Sequence, residues 1–140
     1  MLDLIIKNGQ CYIDGEIKDV DVSIKDGKIQ DIGKIIEEAK DIIDAKGLTV
    51  LPGCIDTQTH IREPGSTDTE DLNSGSRAAI VGGITAVFEM PNTNPPTSSK
   101  KEFKKKLDLA KNRMYCNYAF YFGATANNSD DLADLKSLEG

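Results

Sequence analysis

The chain has 140 residues, 39% of them hydrophobic and 29% charged, a balance that suits a globular protein and excludes a fibrous or disordered one. Its formal net charge of −6, from 17 basic and 23 acidic residues, argues against generic binding to nucleic acid or to an anionic membrane surface. No apolar run approaches the ~18 residues of a membrane span, and Met1 to Ile6 has neither the basic nor the apolar region of a signal peptide.

Residues 1–51 read as an N-terminal domain of short β-strands. Leu2 to Ile6 is apolar and ends at the Asn8-Gly9 turn. Val20 to Ile24 alternates with period two, Asp26-Gly27 turns the chain, and Lys28 to Gly33 follows as another strand. Asp41 to Ala45 and Leu48 to Leu51 are two further candidates. The set suggests a small antiparallel sheet or sandwich.

From Pro52 the pattern becomes β-α-β-α-β-α. Strands are expected at Cys54 to Thr59, Ile84 to Met90 and Tyr115 to Ala124. A helix near Glu70 to Val81 opens on a Thr67-x-x-Glu70 capping box and stops at Gly82-Gly83. A second, opened by Ser99-x-x-Glu102, runs to about Arg113 with an apolar face of Phe103, Leu107, Ala110 and Met114. Its lysines, Lys100, Lys101, Lys104, Lys105 and Lys106, read as a solvated helix face. Ser129 can cap a last helix through Leu132, Leu135 and Leu138. The fold class is therefore α/β, with residues 52–140 forming the first three βα units of a (β/α)₈ barrel. A whole barrel takes about 250 residues, so its remainder is expected outside this sequence.

Three cysteines, Cys11, Cys54 and Cys116, are too few and too scattered for a disulfide framework or a Cys-x-x-Cys site, and read as buried, reduced thiols of a cytoplasmic protein. His60 is the single histidine. On a strand, side chains two apart share a face, which groups Asp56, Gln58 and His60, with Arg62 just beyond. Taken alone, Asp56 would be a turn acceptor and Arg62 a surface ion-pair partner. Together, at the C-terminal end of a barrel strand, they suit a metal and an anionic substrate.

The string Pro52-Gly53-Cys54-Ile55-Asp56-Thr57-Gln58-Thr59-His60 resembles the first-strand motif of the amidohydrolase superfamily. Its continuation Arg62-Glu63-Pro64-Gly65, the segment Ser74 to Ala86, and the loop Met90-Pro91-Asn92-Thr93 resemble dihydroorotases in particular. The resemblance implies a metal-dependent hydrolase of the TIM-barrel type that interconverts N-carbamoyl-L-aspartate and dihydroorotate in pyrimidine biosynthesis. It implies zinc, with His60 as one ligand and Gln58 standing where the family usually has its first metal histidine. It assigns Arg62 and Asn92 to the substrate carboxylate. The remaining metal ligands and the catalytic acid/base are expected beyond Gly140, which leaves the 140 residues inactive alone. Two alternatives stay open: a non-catalytic, dihydroorotase-like scaffold for aspartate carbamoyltransferase, and a related cyclic amidase such as allantoinase. A homo-oligomer is a further expectation.

Overall fold

The structure, a computed structural model, describes residues 1–137; Leu138, expected in the last helix, lies outside the described residues. Contacts divide the chain into a unit spanning Met1–Pro52 and a second beginning at Gly53.

The first unit holds β1 (Leu2–Lys7), β2 (Gln10–Ile13), β3 (Glu16–Asp19), β4 (Asp21–Lys25), β5 (Lys28–Gly33), β6 (Ala39–Asp44) and β7 (Thr49–Val50). They form two sheets, ordered β5-β4-β1-β6 and β3-β2-β7. Two hairpins turn on Asp14-Gly15 (φ 54° and 86°) and Asp26-Gly27 (φ 51° and 71°). Positive φ at both central residues matches the twist of the flanking strands, and Gly carries no Cβ to clash there. The first of these hairpins, β2–β3, was not among the expected strands. The expected all-antiparallel pairing is also corrected, because β1–β6 and β2–β7 are parallel pairs. Once the β4–β5 hairpin takes one side of β1, β6 is left the other side and enters it in the same direction as β1. Leu2, Ile5 and Ile35 are the buried centre of this unit.

The second unit runs β8 (Cys54–Thr59), α1 (Leu72–Val81), β9 (Ile84–Glu89), α2 (Lys100–Ala110), β10 (Asn117–Phe120) and α3 (Ser129–Ala133), then one 3₁₀ turn at Leu135–Ser137. The three strands form a parallel sheet in the order β10-β9-β8, the product of two successive βαβ crossovers. Pairing of Phe88 with Ala119 and of Val87 with Tyr118 separates two faces. One carries Val87, Glu89 and Phe120, all buried, and the helix-side core gathers Ile61, Leu72, Phe103, Ala110 and Phe120. The other shows Phe88 and Tyr121, whose rings meet edge to face with centroids 6.2 Å apart.

Helix starts depart from the sequence expectation in two places. The cap of α1 is Asp71, not Thr67: its Oδ1 accepts from Ser74 N–H at 2.6 Å, and Ser74 Oγ accepts from Asp71 N–H at 3.0 Å. Thr67 and Glu70 fall in a preceding turn closed by Thr69 N–H to the Ser66 carbonyl at 3.0 Å. At α3 the capping position is Asn128 rather than Ser129, and no side chain caps the helix. The Asn128 carboxamide is spent instead on the Ser98 and Gly123 carbonyls and on Thr125 N–H, each at 2.8 Å. Ser99 caps α2 as expected, accepting from Glu102 N–H at 3.2 Å.

The lysine run is the larger correction. Lys106 is not solvated but fully buried. It lies three residues after Phe103 and four before Ala110, so helical geometry places it in the packed stripe of α2 with its neighbours' apolar side chains. Of the cysteines, Cys11 and Cys116 are buried as expected, while Cys54 is exposed; all three are unpaired.

Candidate functional site

Loops leaving the C-terminal ends of β8 and β9 bring two of the sequence-selected residues, His60 and Asn92, together. Met90 N–H donates to the Thr59 carbonyl at 2.9 Å, which sets the two strand ends level. Just beyond, His60 Nδ1 and Asn92 Oδ1 are 2.9 Å apart. With the carboxamide oxygen accepting, the imidazole proton sits on Nδ1 and Nε2 presents its lone pair. The Asn92 amide group is then left to donate.

Arg62 is exposed and makes no hydrogen bond or ion pair among the described residues. Its neighbour Glu63 is its opposite in every respect. Glu63 is buried, takes Leu72 N–H at 2.9 Å at the start of α1, and receives two parallel bonds from the Arg113 guanidinium at 2.8 and 2.9 Å. Burial pushes its carboxyl up, but the Arg113 bonds and the Leu72 amide outweigh that and hold it below the usual glutamate range. The loop bearing Arg62 is thereby anchored one residue away. It is also joined to the Asn92 loop: Asn94 N–H donates to the Pro64 carbonyl at 2.9 Å. Gly65, at φ +128°, lies so close that a Cβ there would come within 3.0 Å of Asn94 Cβ.

Asp56, Gln58 and His60 line a pocket of about 320 Å³ whose other walls include Gly75 and Ala79 of α1. The volume is at the small end for a ligand site. Alternation is imperfect here, because Thr59 lines it too. The β8–β9 register shifts between Asp56 and Thr59, and Asp56 Oδ1 accepts Gln58 N–H at 3.0 Å inside that irregularity. Asp56 thus serves as a local backbone acceptor beside α1. Arg62 and Asn92 stand outside this pocket, on the two loops.

Behind the loops, on the helix side, Glu89 ends β9 and forms a buried ion pair with Lys106. Burial drives the Glu89 carboxyl up to about 7, while its bond to the Lys106 ammonium pulls it down. Burial likewise lowers Lys106, against the pull of Glu89. Glu89 Oε1 has no hydrogen-bond partner among the described residues. Neither Glu63–Arg113 nor Glu89–Lys106 was picked out from the sequence. The helical spacing of Lys106 was a usable signal; the Glu63–Arg113 contact spans 50 residues and had none.

The amidohydrolase family model matches residues 49–137, more than half of the chain. The chain belongs to the amidohydrolase family. An allantoinase of Escherichia coli O1:K1 / APEC is 44% identical over 137 residues, which is 97% of this chain and 30% of that relative. An allantoinase of Salmonella choleraesuis (strain SC-B67) is 43% identical over the same span. Among solved structures, the L-hydantoinase (dihydropyrimidinase) from Arthrobacter aurescens superposes with a TM-score of 0.89 at 33% identity, covering 98% of this chain and 31% of that one. The D-hydantoinase from Thermus sp. gives 0.80 at 27% identity, covering 96% and 31%. The chain therefore spans about 30% of the length of the curated relatives it matches. β8 to β10 with their helices are the start of this amidohydrolase's TIM barrel. The family resemblance holds at the level of cyclic amidohydrolases; these relatives carry it to allantoinase and hydantoinase, not to dihydroorotase.

Amidohydrolases are as a rule metal-dependent, which makes the donor set worth testing. Among the described residues, no three His, Cys, Asp or Glu side chains converge as a metal site would require. His60 Nε2 offers one imidazole nitrogen and Gln58 only a carboxamide, well short of the three or four ligands zinc takes. These residues do not by themselves fit a metal.

Proposed function

We propose that the full-length protein hydrolyses the ring C–N bond of a cyclic ureide, as an allantoinase or hydantoinase does. One observation carries this reading: the 2.9 Å contact that holds Asn92 against His60 where two barrel loops meet, in a chain of the amidohydrolase family. In the reaction a water oxygen bonds to the ring carbonyl carbon, the C–N bond breaks, and a proton passes to the leaving nitrogen. This chain supplies binding and orientation. The free Asn92 amide donates to a ring carbonyl, and Arg62 offers a fork of N–H groups to an oxygen-rich edge of the substrate. The test is ring opening by the purified full-length protein on allantoin, hydantoin, dihydrouracil and dihydroorotate. Absence of opening on all four refutes the reading.

A second reading, dihydroorotate as the substrate, is favoured by the Arg62 guanidinium, which has no carboxylate of the described protein to bind. A planar guanidinium pairs bidentately with a carboxylate and lysine cannot. Under this reading Arg62→Lys raises KM for dihydroorotate at least tenfold and leaves uncharged allantoin little affected; equal effects on both substrates refute it. The three unpaired cysteines support a cytoplasmic location for the full-length protein.

A further inference from the structure

We propose that Lys106 is a positioning residue that holds Asn92 at His60 by clamping the two ends of the loop between β9 and α2. The inference rests on the proposed cyclic-amide hydrolysis and names a residue that acts on that site from behind. The Lys106 ammonium donates to the Met90 carbonyl at 3.3 Å, where the loop begins, and to the Thr97 hydroxyl at 3.3 Å, where it ends. Its third bond is to the Glu89 carboxylate at the tip of β9. The loop is closed on itself between these points. Thr97 N–H donates to the Pro91 carbonyl at 2.9 Å, and Thr93 Oγ1 to the Pro95 carbonyl at 2.9 Å. Asn92 sits at the head of this closed loop.

A fully buried ammonium is costly unless it is paired and hydrogen-bonded. An apolar residue at 106 would pack against Phe103 and Ala110 without that cost. Packing alone therefore does not account for the lysine. What the charged end adds, and a hydrocarbon cannot, is a three-point tether between strand tip, loop start and loop end. The Phe120 ring, 5.1 Å from Nζ, closes a further side of the ammonium.

The experiment uses the full-length protein with Lys106→Met, with Glu89→Leu plus Lys106→Met, and with Asn92→Ala added to the pair. Lys106→Met alone leaves the Glu89 carboxyl buried without its partner and is expected to destabilise the site. The double variant removes both charges, a change that is often neutral for stability. Its melting temperature is expected close to that of the parent, while kcat/KM stays down on the order of 100-fold, the scale of a misplaced binding group. Adding Asn92→Ala should then lower kcat/KM little further, because the two changes act through one contact. Recovery of kcat/KM along with the melting temperature, or full additivity with Asn92→Ala, overturns the proposal. If the parent opens no cyclic ureide, the proposed function has failed, and the clamp is judged separately by ¹⁵N NMR of His60. Loss of its Nδ1-bound proton signal in the folded double variant supports the clamp, and an unchanged signal overturns it.

Discussion

Arg113→Leu is the sharpest test of how the Arg62 loop is held. The substitution removes two charge-assisted bonds to the Glu63 carboxylate, at 2.8 and 2.9 Å, and leaves only the Leu72 amide on it. Each such bond contributes on the order of 1.5 kcal/mol net, so the pair contributes about 3 kcal/mol. The Arg113 side chain is 35% exposed, so water screens part of this, and about 2 kcal/mol is the expected loss. In thermal unfolding of the full-length protein that is a fall in Tm of several degrees. The pH dependence gives the sign. Glu63 is held below its ordinary value of 4.5, so its share of the stability is complete above that value and fades as pH falls through the lowered folded pKa. In the variant, burial without the guanidinium raises the same carboxyl, which favours its neutral form as the medium acidifies. The gap in Tm between parent and variant should therefore be widest at pH 7 and shrink toward pH 4. A gap that is the same at both pH values, or absent at pH 7, refutes the assignment of Glu63 as an ionised anchor.

Asp71→Ala removes the acceptor for Ser74 N–H at the start of α1 and is expected to cost about 1 kcal/mol in urea unfolding, whereas Thr67→Ala should cost almost nothing. Gly53→Ala would place a Cβ 2.2 Å from Thr85 Cγ2, forcing apart the first residues of β8 and β9; a loss of about 1–3 kcal/mol is expected, partly restored by Thr85→Ala. Glu89 gives the reverse pH sign to Glu63. Its folded pKa is raised by burial to about 7, so its contribution is fully present below the ordinary 4.5 and is lost as pH rises from there through about 7. Glu89→Gln should flatten the Tm profile in that window, and an unaltered slope would count against the burial argument.

Much of the fold was legible along the chain because local physics writes it there. The Asp26-Gly27 turn, the alternation of Val20 to Ile24, and the apolar spacing of Phe103, Leu107 and Ala110 report short-range preferences, and the elements form where those preferences lie. Motif order from Pro52 to Asn92 likewise marked the family and the two residues, His60 and Asn92, that the loops bring to 2.9 Å. What the sequence by itself could not determine was every choice made by partners far along the chain. Thr67 and Asp71 are both good capping residues, and Asp71 prevails where Leu72 enters the core and its amide meets Glu63. Asn128 stands at the cap position in place of Ser129, and its carboxamide reaches the Ser98 carbonyl thirty residues back as well as the nearer Gly123 carbonyl. Lys106 reads as one more solvated charge in a basic run until α2 is laid on the sheet and its stem is found crossing to Glu89. A charged residue follows its solvation locally, but burial is decided by which face of the helix meets the sheet. Only the assembled fold can weigh the cost of desolvating an ammonium against the carboxylate, carbonyl and hydroxyl waiting for it.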